Sequence, residues 1–241
     1  MKYALLSDIH ANEEAFLSVL RRCSELDIDE YVCLGDIVGY GASPRECIRI
    51  AKSVKFKSIV QGNHDFAITD KDCFSFFNSS AKEAVKYTRK ILSSDDKAWL
   101  SSLPLKETIG DFIVTHSNPL TPSSWAYPIL NEILSGMCLN HMKENLCFIG
   151  HSHRCGTMSM LNGKVITEYE VDVIPPEKCM INIGSVGQPR DGDNRASFAV
   201  YDSGDRTIVI HRVEYDYRTA ANKIYEAGLP VRLGARLEKG E

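Results

Sequence analysis

The 241-residue sequence has no run of about 18 apolar residues that would predict a membrane-spanning helix. Its start also lacks the basic and apolar regions of a secretory signal, so we expect a cytoplasmic protein. Positive charge is not in excess, because 28 Lys and Arg stand against 32 Asp and Glu, a net charge of −4. This balance argues against long DNA or RNA as a partner, and no pattern predicts the oligomeric state.

Paired cysteines are missing as well. Eight cysteines are scattered along the chain without a C-x-x-C pair, so no disulfide framework is indicated. Cys33 and Cys147 lie within apolar runs, where cysteine behaves as a small hydrophobic residue. We therefore expect reduced core cysteines and no thiol nucleophile.

What the sequence does contain is a series of five polar motifs, each directly after an apolar or β-branched run. The runs predict buried strands, and open α/β sheets place their binding sites where strands end. One such motif alone would be weak, but the series is specific. The motifs are Asp8-Ile9-His10, Gly35-Asp36, Gly62-Asn63-His64-Asp65, Thr115-His116 and Gly150-His151-Ser152-His153.

Carboxylate, imidazole and amide side chains in such a series are typical ligands of divalent cations. Two cations roughly 3.5 to 4 Å apart hold a phosphate ester from both sides and lower the pKa of a water between them. Asp36 is the natural bridging carboxylate. Asp8 and His10 are two residues apart, and a bend after the strand lets both reach one ion. The same spacing recurs at His151 and His153, so the residues predict a two-metal phosphoesterase.

The motif series strongly resembles that of the calcineurin-like metallophosphoesterase superfamily, which carries D-x-H, GD, GNHD or GNHE, a later His and GH-x-H in this order. The resemblance covers residues 3 to about 200. It implies an α/β fold, a four-layer αββα sandwich in which two facing mixed β-sheets are flanked by helices. It also implies two metal sites that share one carboxylate. The first would consist of Asp8, His10, Asp36 and His153, and the second of Asp36, Asn63, His116 and His151.

The resemblance further implies roles for the two residues after Asn63. His64 matches a histidine of the family that does not bind metal but neutralises or protonates the leaving oxygen. Its neighbour Asp65 would orient that imidazole and raise its basicity. Two alternatives stay open, since Asp65 also suits the cap of a helix and Asn63 a turn after Gly62.

A glycine-containing loop after the metal motifs, residues 180–195, is the best candidate for contact with the substrate. Gly184 and Gly187 allow its backbone to approach the site closely. Arg190 and Arg195 are candidate phosphate ligands, Arg195 through a bidentate contact. The alternative is a glycine-rich turn with solvated arginines.

One missing arginine bears on the substrate. Serine/threonine protein phosphatases of the superfamily carry Asp-Arg-Gly after the bridging Asp, whereas Ile37 and Val38 follow Asp36 here. Short relatives that share the SDIHAN opening and the NIGSVGQPRD-like loop look like phosphodiesterases, including enzymes similar to dinucleoside polyphosphate hydrolases. The resemblance implies hydrolysis of a small-molecule phosphodiester or nucleotide pyrophosphate by a metal-bridging hydroxide. The alternatives are a phosphomonoesterase, including a protein phosphatase, and a non-catalytic binding scaffold.

Mixed nitrogen and oxygen ligands suit Mn²⁺, our first expectation for the two ions, as well as Fe, Zn²⁺, Co²⁺ and Ni²⁺. We expect a single domain over residues 1–241, with a motif-bearing core to about residue 203. A C-terminal strand, helix and tail would follow over about residues 204–241, with a mobile tail after Pro230. Within the core, Asn162-Gly163 predicts a tight β-hairpin.

Overall fold

A computed structural model describes residues 1–70, 72, 74, 77–168, 172–173 and 178–241 of the chain. Within these ranges it contains two six-stranded mixed sheets flanked by helices, which confirms the predicted fold class. No helix in the same ranges is both long and apolar enough to cross a membrane.

Twelve strands in the described part of the chain form the two sheets. They are β1 (Lys2–Leu6), β2 (Glu30–Cys33), β3 (Phe56–Ile59), β4 (Lys106–Ile109), β5 (Phe112–Thr115), β6 (Leu146–Ile149), β7 (Cys155–Leu161), β8 (Lys164–Glu168), β9 (Asp172–Val173), β10 (Cys179–Ile183), β11 (Ala196–Asp202) and β12 (Thr207–Val213). The helices are α1 (Glu13–Cys23), α2 (Pro44–Ser53), α3 (Asn63–Phe66), α4 (Ser79–Ile91), α5 (Ser94–Ser102), α6 (Glu132–His141), α7 (Tyr217–Glu226) and α8 (Val231–Lys239).

The strand order places the parallel strands side by side. The first sheet runs β3-β2-β1-β11-β12-β9, and β1, β2 and β3 are parallel. The second runs β4-β5-β6-β10-β7-β8, and β5, β6 and β10 are parallel. The remaining neighbours pair antiparallel, as in β1 with β11 and β7 with β8.

Strand β1 shows why the layers form. Its side chains alternate between two faces. Ala4 and Leu6 pack in a core with Phe16 of α1, whereas Tyr3 and Leu5 pack in the core between the two sheets. Because both faces are covered, the strand appears in the sequence as a continuous apolar run.

The C-terminal residues differ from the sequence prediction. Residues after Pro230 form α8, which packs on α7 and buries Leu233 and Leu237. The prediction of a mobile tail after Pro230 was therefore wrong. Gly234 disfavours a helix in isolation, but here it permits close packing, since a Cβ at this position would press on the ring of Tyr225.

Candidate metal centre

The loops after β1, β2, β3, β5 and β6 carry the sequence-predicted ligands and meet at one edge of the sandwich. Backbone hydrogen bonds join neighbouring loops, as from Asp8 N to Gly35 O at 3.0 Å and from Gly150 N to His116 O at 3.0 Å. The ligand atoms form three groups in which all atoms lie within 4.8 Å of one another. These are Asp8 with His10 and His153, His10 with Asp36 and His64, and Asp36 with His116 and His151.

Asn63 completes the predicted ligand set. It is the first residue of α3, is buried, and lines the same cleft as His64 and His151. The structure thus brings together every residue that the sequence predicted to bind metal.

Asp36 lies between two of the groups, the position required of a bridging carboxylate. Its Oδ2 is 3.2 Å from His116 Nε2 and 3.6 Å from His10 Nε2. Its Oδ1 accepts a hydrogen bond from the backbone N–H of His64 at 2.7 Å. A Cβ at Gly62 would collide with this carboxylate, so the loop after β3 reaches Asp36 only because residue 62 is glycine.

Asp8 is held in a similar way. Its Oδ2 accepts hydrogen bonds from Ser7 Oγ at 2.6 Å and from the backbone N–H of His151 at 3.0 Å. Its Oδ1 faces His153 Nε2 at 3.2 Å and has no hydrogen-bond donor in the described part of the chain. Asp8 therefore presents one fixed oxygen and one buried oxygen directed at the imidazoles.

Backbone carbonyls orient three of the imidazoles through their Nδ1 atoms. A carbonyl only accepts hydrogen bonds, so Nδ1 carries the hydrogen and the Nε2 of a neutral ring presents its lone pair. This arrangement is typical of metal-bound histidines. The pairs are His10 with Val38 O (3.1 Å), His116 with Leu34 O (2.7 Å) and His153 with Gln188 O (2.6 Å).

The contact between His10 and His153 tests whether the site fits a cation. Their Nε2 atoms are 3.0 Å apart and their ring planes differ by 22°. Two lone pairs at this distance repel each other. Two nitrogens bound to one cation at about 2.0 to 2.1 Å, by contrast, are about 3 Å apart when the ligand angle is near 90°. The geometry of these donors therefore fits a bound metal ion.

In His151 the other ring nitrogen contacts a backbone carbonyl. Its Nε2 donates to the carbonyl of Trp125 at 2.8 Å, which leaves Nδ1 as its ligand atom. The ring of Tyr127 stacks on the imidazole with 4.0 Å between centroids. Both contacts come from an irregular segment between β5 and α6 that carries no sequence motif.

The charges of the site favour a cation. Burial alone would raise the pKa of Asp36, but His116, His64 and His10 together outweigh it and hold the pKa well below its usual range. For His116, burial opposes the charged form, yet Asp36 and Asp8 raise its pKa to about 9. Since a ligand imidazole must be neutral, a metal ion bound by His116 would take the place of its proton.

Five of the seven predicted ligands also adopt a backbone conformation that residues other than glycine rarely adopt. The angle φ is +54° at Asp8, +50° at His10, +53° at Asp36, +68° at His151 and +59° at His153. Left-handed conformations of this kind cost on the order of 1 to 3 kcal/mol each. They persist because the hydrogen bonds between loops fix the backbone, and they point the side chains toward one another.

Aromatic packing holds the ring of His64. Its centroid is 4.3 Å from that of Tyr40 and 4.6 Å from that of Phe77. Gly39 has φ +94°, and a Cβ there would collide with the imidazole. Burial lowers the pKa of His64 to about 3, so the ring is neutral at pH 7. Its Nδ1 has no hydrogen-bond partner among the described residues.

Asp65 makes different contacts from those that the sequence predicts. Its Oδ1 accepts from Val38 N at 3.1 Å and its Oδ2 from Gly62 N at 3.2 Å, and neither oxygen contacts the imidazole of His64. The second contact is the one an acidic side chain makes at the start of a helix. Burial, and then the charge of Asp36, raise the pKa of Asp65 to about 7. The structure therefore favours the alternative in which Asp65 stabilises the loop and the start of α3.

The two candidate phosphate ligands lie in different surroundings. The backbone N–H of Arg190 donates to His153 O at 3.1 Å, and its guanidinium lies 5.2 Å from the centroid of the Tyr40 ring. Arg195 instead pairs with Asp193 at 2.7 Å, and its side chain is 48% exposed. The structure brings Arg190, but not Arg195, to the ligand cluster.

Sequence patterns did not reveal a cleft with aromatic walls beside the cluster. It has a volume of about 570 Å³ and is lined by Asn63, His64 and His151 together with aromatic side chains. The aromatic residues come from separate loops and helices, without periodicity or a motif to mark them. They are Tyr40, Phe66, Phe77, Trp125 and Tyr127.

Comparison with known sequences agrees with the resemblance carried by the motif series. Residues 1–206 match the calcineurin-like phosphoesterase superfamily domain. The chain belongs to this superfamily. The uncharacterized protein MJ0912 of Methanocaldococcus jannaschii is 39% identical over 241 residues, which cover 98% of this chain and 97% of that protein.

Solved structures agree with the fold of this superfamily member. The crystal structure of a metallophosphoesterase from Sphaerobacter thermophilus has 33% identity and a TM-score of 0.86, with 100% of both chains covered. The hypothetical protein PH1004 from Pyrococcus horikoshii OT3 has 20% identity and a TM-score of 0.79, covering 100% of this chain and 98% of that one, and shows the shared fold. The chain is thus a phosphoester-hydrolysing enzyme of a superfamily that uses divalent metals, and its Asp and His clusters are suited to bind them.

Proposed function

We propose that this enzyme binds two divalent cations and hydrolyses a small-molecule phosphodiester or nucleotide pyrophosphate in the cytoplasm. The cleft beside the ligand cluster carries the proposal. Its volume of about 570 Å³ lies within the range of about 300 to 1,000 Å³ that is usual for small-molecule sites. Aromatic walls suit the planar base or aryl group of such an ester. The net charge of −4 supports a small nucleotide over long nucleic acid as the partner.

The donor set would divide between two ions with Asp36 shared. With Asp36, one ion would be held by Asp8, His10 and His153. The other ion would be held, again with Asp36, by Asn63, His116 and His151. Two bound cations would neutralise the phosphate oxygens and lower the pKa of a water molecule. We propose Mn²⁺ for both positions, although this donor set also suits Fe, Zn²⁺, Co²⁺ and Ni²⁺.

The proposed function gives His64 the role of assisting the leaving group. Its ring lines the cleft next to Asn63 and is neutral at pH 7, so it holds a hydrogen on one ring nitrogen. Packing against Tyr40 and Phe77 fixes the ring direction, and Nδ1 of the ring has no hydrogen-bond partner among the described residues. We propose that His64 donates a hydrogen bond to the departing oxygen, which stabilises its developing charge.

Three substrates in parallel test the proposed function. With Mn²⁺ present, we expect kcat/KM for bis-p-nitrophenyl phosphate or diadenosine tetraphosphate to exceed that for p-nitrophenyl phosphate by at least about tenfold, or 1.4 kcal/mol. Hydrolysis of the monoester alone would contradict the proposal and favour a phosphomonoesterase. The Asp36→Asn variant is the control, because activity that comes from this site should fall together for all three substrates.

A further inference from the structure

Two arginines from distant parts of the chain meet beside the candidate metal centre. Arg190 belongs to the loop after β10, and Arg236 belongs to α8, the helix that sequence patterns did not predict. Arg190 Nη2 and Arg236 Nη1 both donate to Oε1 of Gln188, at 2.7 and 3.1 Å. Donors that share one acceptor atom lie within a few ångströms of each other, so two positive charges stand side by side.

No acidic side chain in the described ranges forms an ion pair with either guanidinium. Arg195 illustrates the usual situation, since it pairs with Asp193 at 2.7 Å. Arg190 Nε is buried and has no hydrogen-bond partner among the described residues. Arg236 Nε donates to the main-chain oxygen of Glu241. The charge of Glu241 offsets part of the charge of Arg236, and the pair keeps the free donor Nε of Arg190.

This pair lies next to the reaction site. The Arg190 guanidinium lies over the ring of Tyr40, and that ring both contacts His64 and lines the cleft. The centroid of the same Tyr40 ring lies 4.6 Å from that of His10 and 6.3 Å from that of His153, which are both predicted metal ligands. An anion bound by the arginines would thus be a neighbour of the phosphoryl group at the metal centre.

Holding the two guanidinium groups together costs free energy in the absence of an anion. Burial, and then the charge of Arg190, lower the pKa of Arg236 to about 10. A phosphoryl group offers several acceptor oxygens and opposite charge, and arginine binds it through paired hydrogen bonds. The arrangement is therefore matched to a phosphate group.

We propose that Arg190 and Arg236 bind the phosphoryl group adjacent to the one that is hydrolysed. This inference rests on the proposed function and narrows its substrate class to nucleotide pyrophosphates, such as dinucleoside polyphosphates. A simple diester has one phosphoryl group and leaves the arginine pair without an anion. In a pyrophosphate, the second phosphoryl group occupies the pair while the first lies at the metal centre.

Binding of ADP and AMP tests the pair, because these ligands differ by one phosphoryl group. Dissociation constants are measured by calorimetry at a fixed excess of Mn²⁺. We expect the wild-type protein to bind ADP at least about tenfold more tightly than AMP, the value of a charge-assisted hydrogen bond. Arg190→Gln and Arg236→Gln should each reduce this ratio to about twofold or less, with a smaller change in AMP binding.

Matched variants separate anion binding from folding. Arg232→Gln removes an exposed arginine from the same helix and should keep the wild-type ADP to AMP ratio. Gln188→Glu retains both arginines but adds a carboxylate between them. The ADP to AMP affinity ratio should therefore fall although neither arginine is lost. An unchanged ratio in folded Arg190→Gln, Arg236→Gln and Gln188→Glu proteins would overturn the proposal.

The two proposals fail in different ways. If diesters are hydrolysed but the wild-type protein shows no preference for ADP, the arginine subsite is refuted and the proposed function stands. If ADP binding depends on both arginines but no substrate of the panel is hydrolysed, the subsite is supported and the proposed function is refuted.

Discussion

Replacement of Asp36 by Asn should remove at least one metal ion per chain and lower turnover by at least about 10³-fold. Asp36 belongs to two of the three ligand groups, and its Oδ2 faces both His116 and His10. Asn keeps the shape of the side chain but not the charge that binds cations. The contribution of a metal ion to phosphate hydrolysis amounts to several kcal/mol, and each 1.36 kcal/mol corresponds to a factor of ten. Elemental analysis and kcat at saturating Mn²⁺ measure the two effects.

Asp65→Asn is the matched control for metal content. Asp65 is also fully buried near the centre, and the substitution is the same exchange of a carboxylate for an amide of equal shape. Its oxygens accept from the backbone of Val38 and Gly62, so we expect the control to keep the wild-type metal content. An Asp36→Asn protein with both ions and full turnover would show that Asp36 is not the bridge.

His64→Ala should lower turnover by about 10² to 10⁴-fold while the metal content stays near two ions per chain. The loss should be larger for a nucleotide than for bis-p-nitrophenyl phosphate, because nitrophenolate departs without much assistance. Measurements of kcat for both substrates and of bound metal test the prediction together.

The position of His64 allows a competing interpretation that the same variant decides. A ring nitrogen of His64 lies within 4.8 Å of candidate ligand atoms of His10 and Asp36, so His64 would also suit direct metal binding. Loss of an ion from His64→Ala would refute its role as a residue that assists the leaving group. Phe77→Leu is the matched control, since it keeps the imidazole and removes only the ring packed 4.6 Å away. A smaller loss of turnover is expected for this control.

Much of the fold could be predicted because its elements have strong local patterns. The apolar runs after Lys2 and before Gly150 form buried strands with covered faces, as their composition indicates. Asn162-Gly163 forms the predicted hairpin turn, with φ of +50° and +76° at the two central residues. Helix α8 was missed because its glycine and arginines suggested a tail, although Leu233 and Leu237 have helical spacing and pack on α7.

The same difference between local sequence patterns and tertiary packing explains which site residues could be predicted. The ligands follow strand ends at spacings that the sequence displays, so the predicted set converges as expected. Arg236 and Tyr127 carry no motif, and only tertiary packing brings them to the centre. The orienting role of Asp65 was inferred from its place next to His64, but neighbours in sequence at the start of a helix point in different directions. The backbone of α3 instead directs the Asp65 carboxylate to Val38 N and Gly62 N.

Metal stoichiometry tests the central claim most directly. Protein stripped with a chelator and titrated with Mn²⁺ should bind two ions per chain, and phosphodiester hydrolysis should rise with the occupancy of both sites. Binding of one ion or none, with the protein folded, would contradict a two-metal centre built from the strand-end loops.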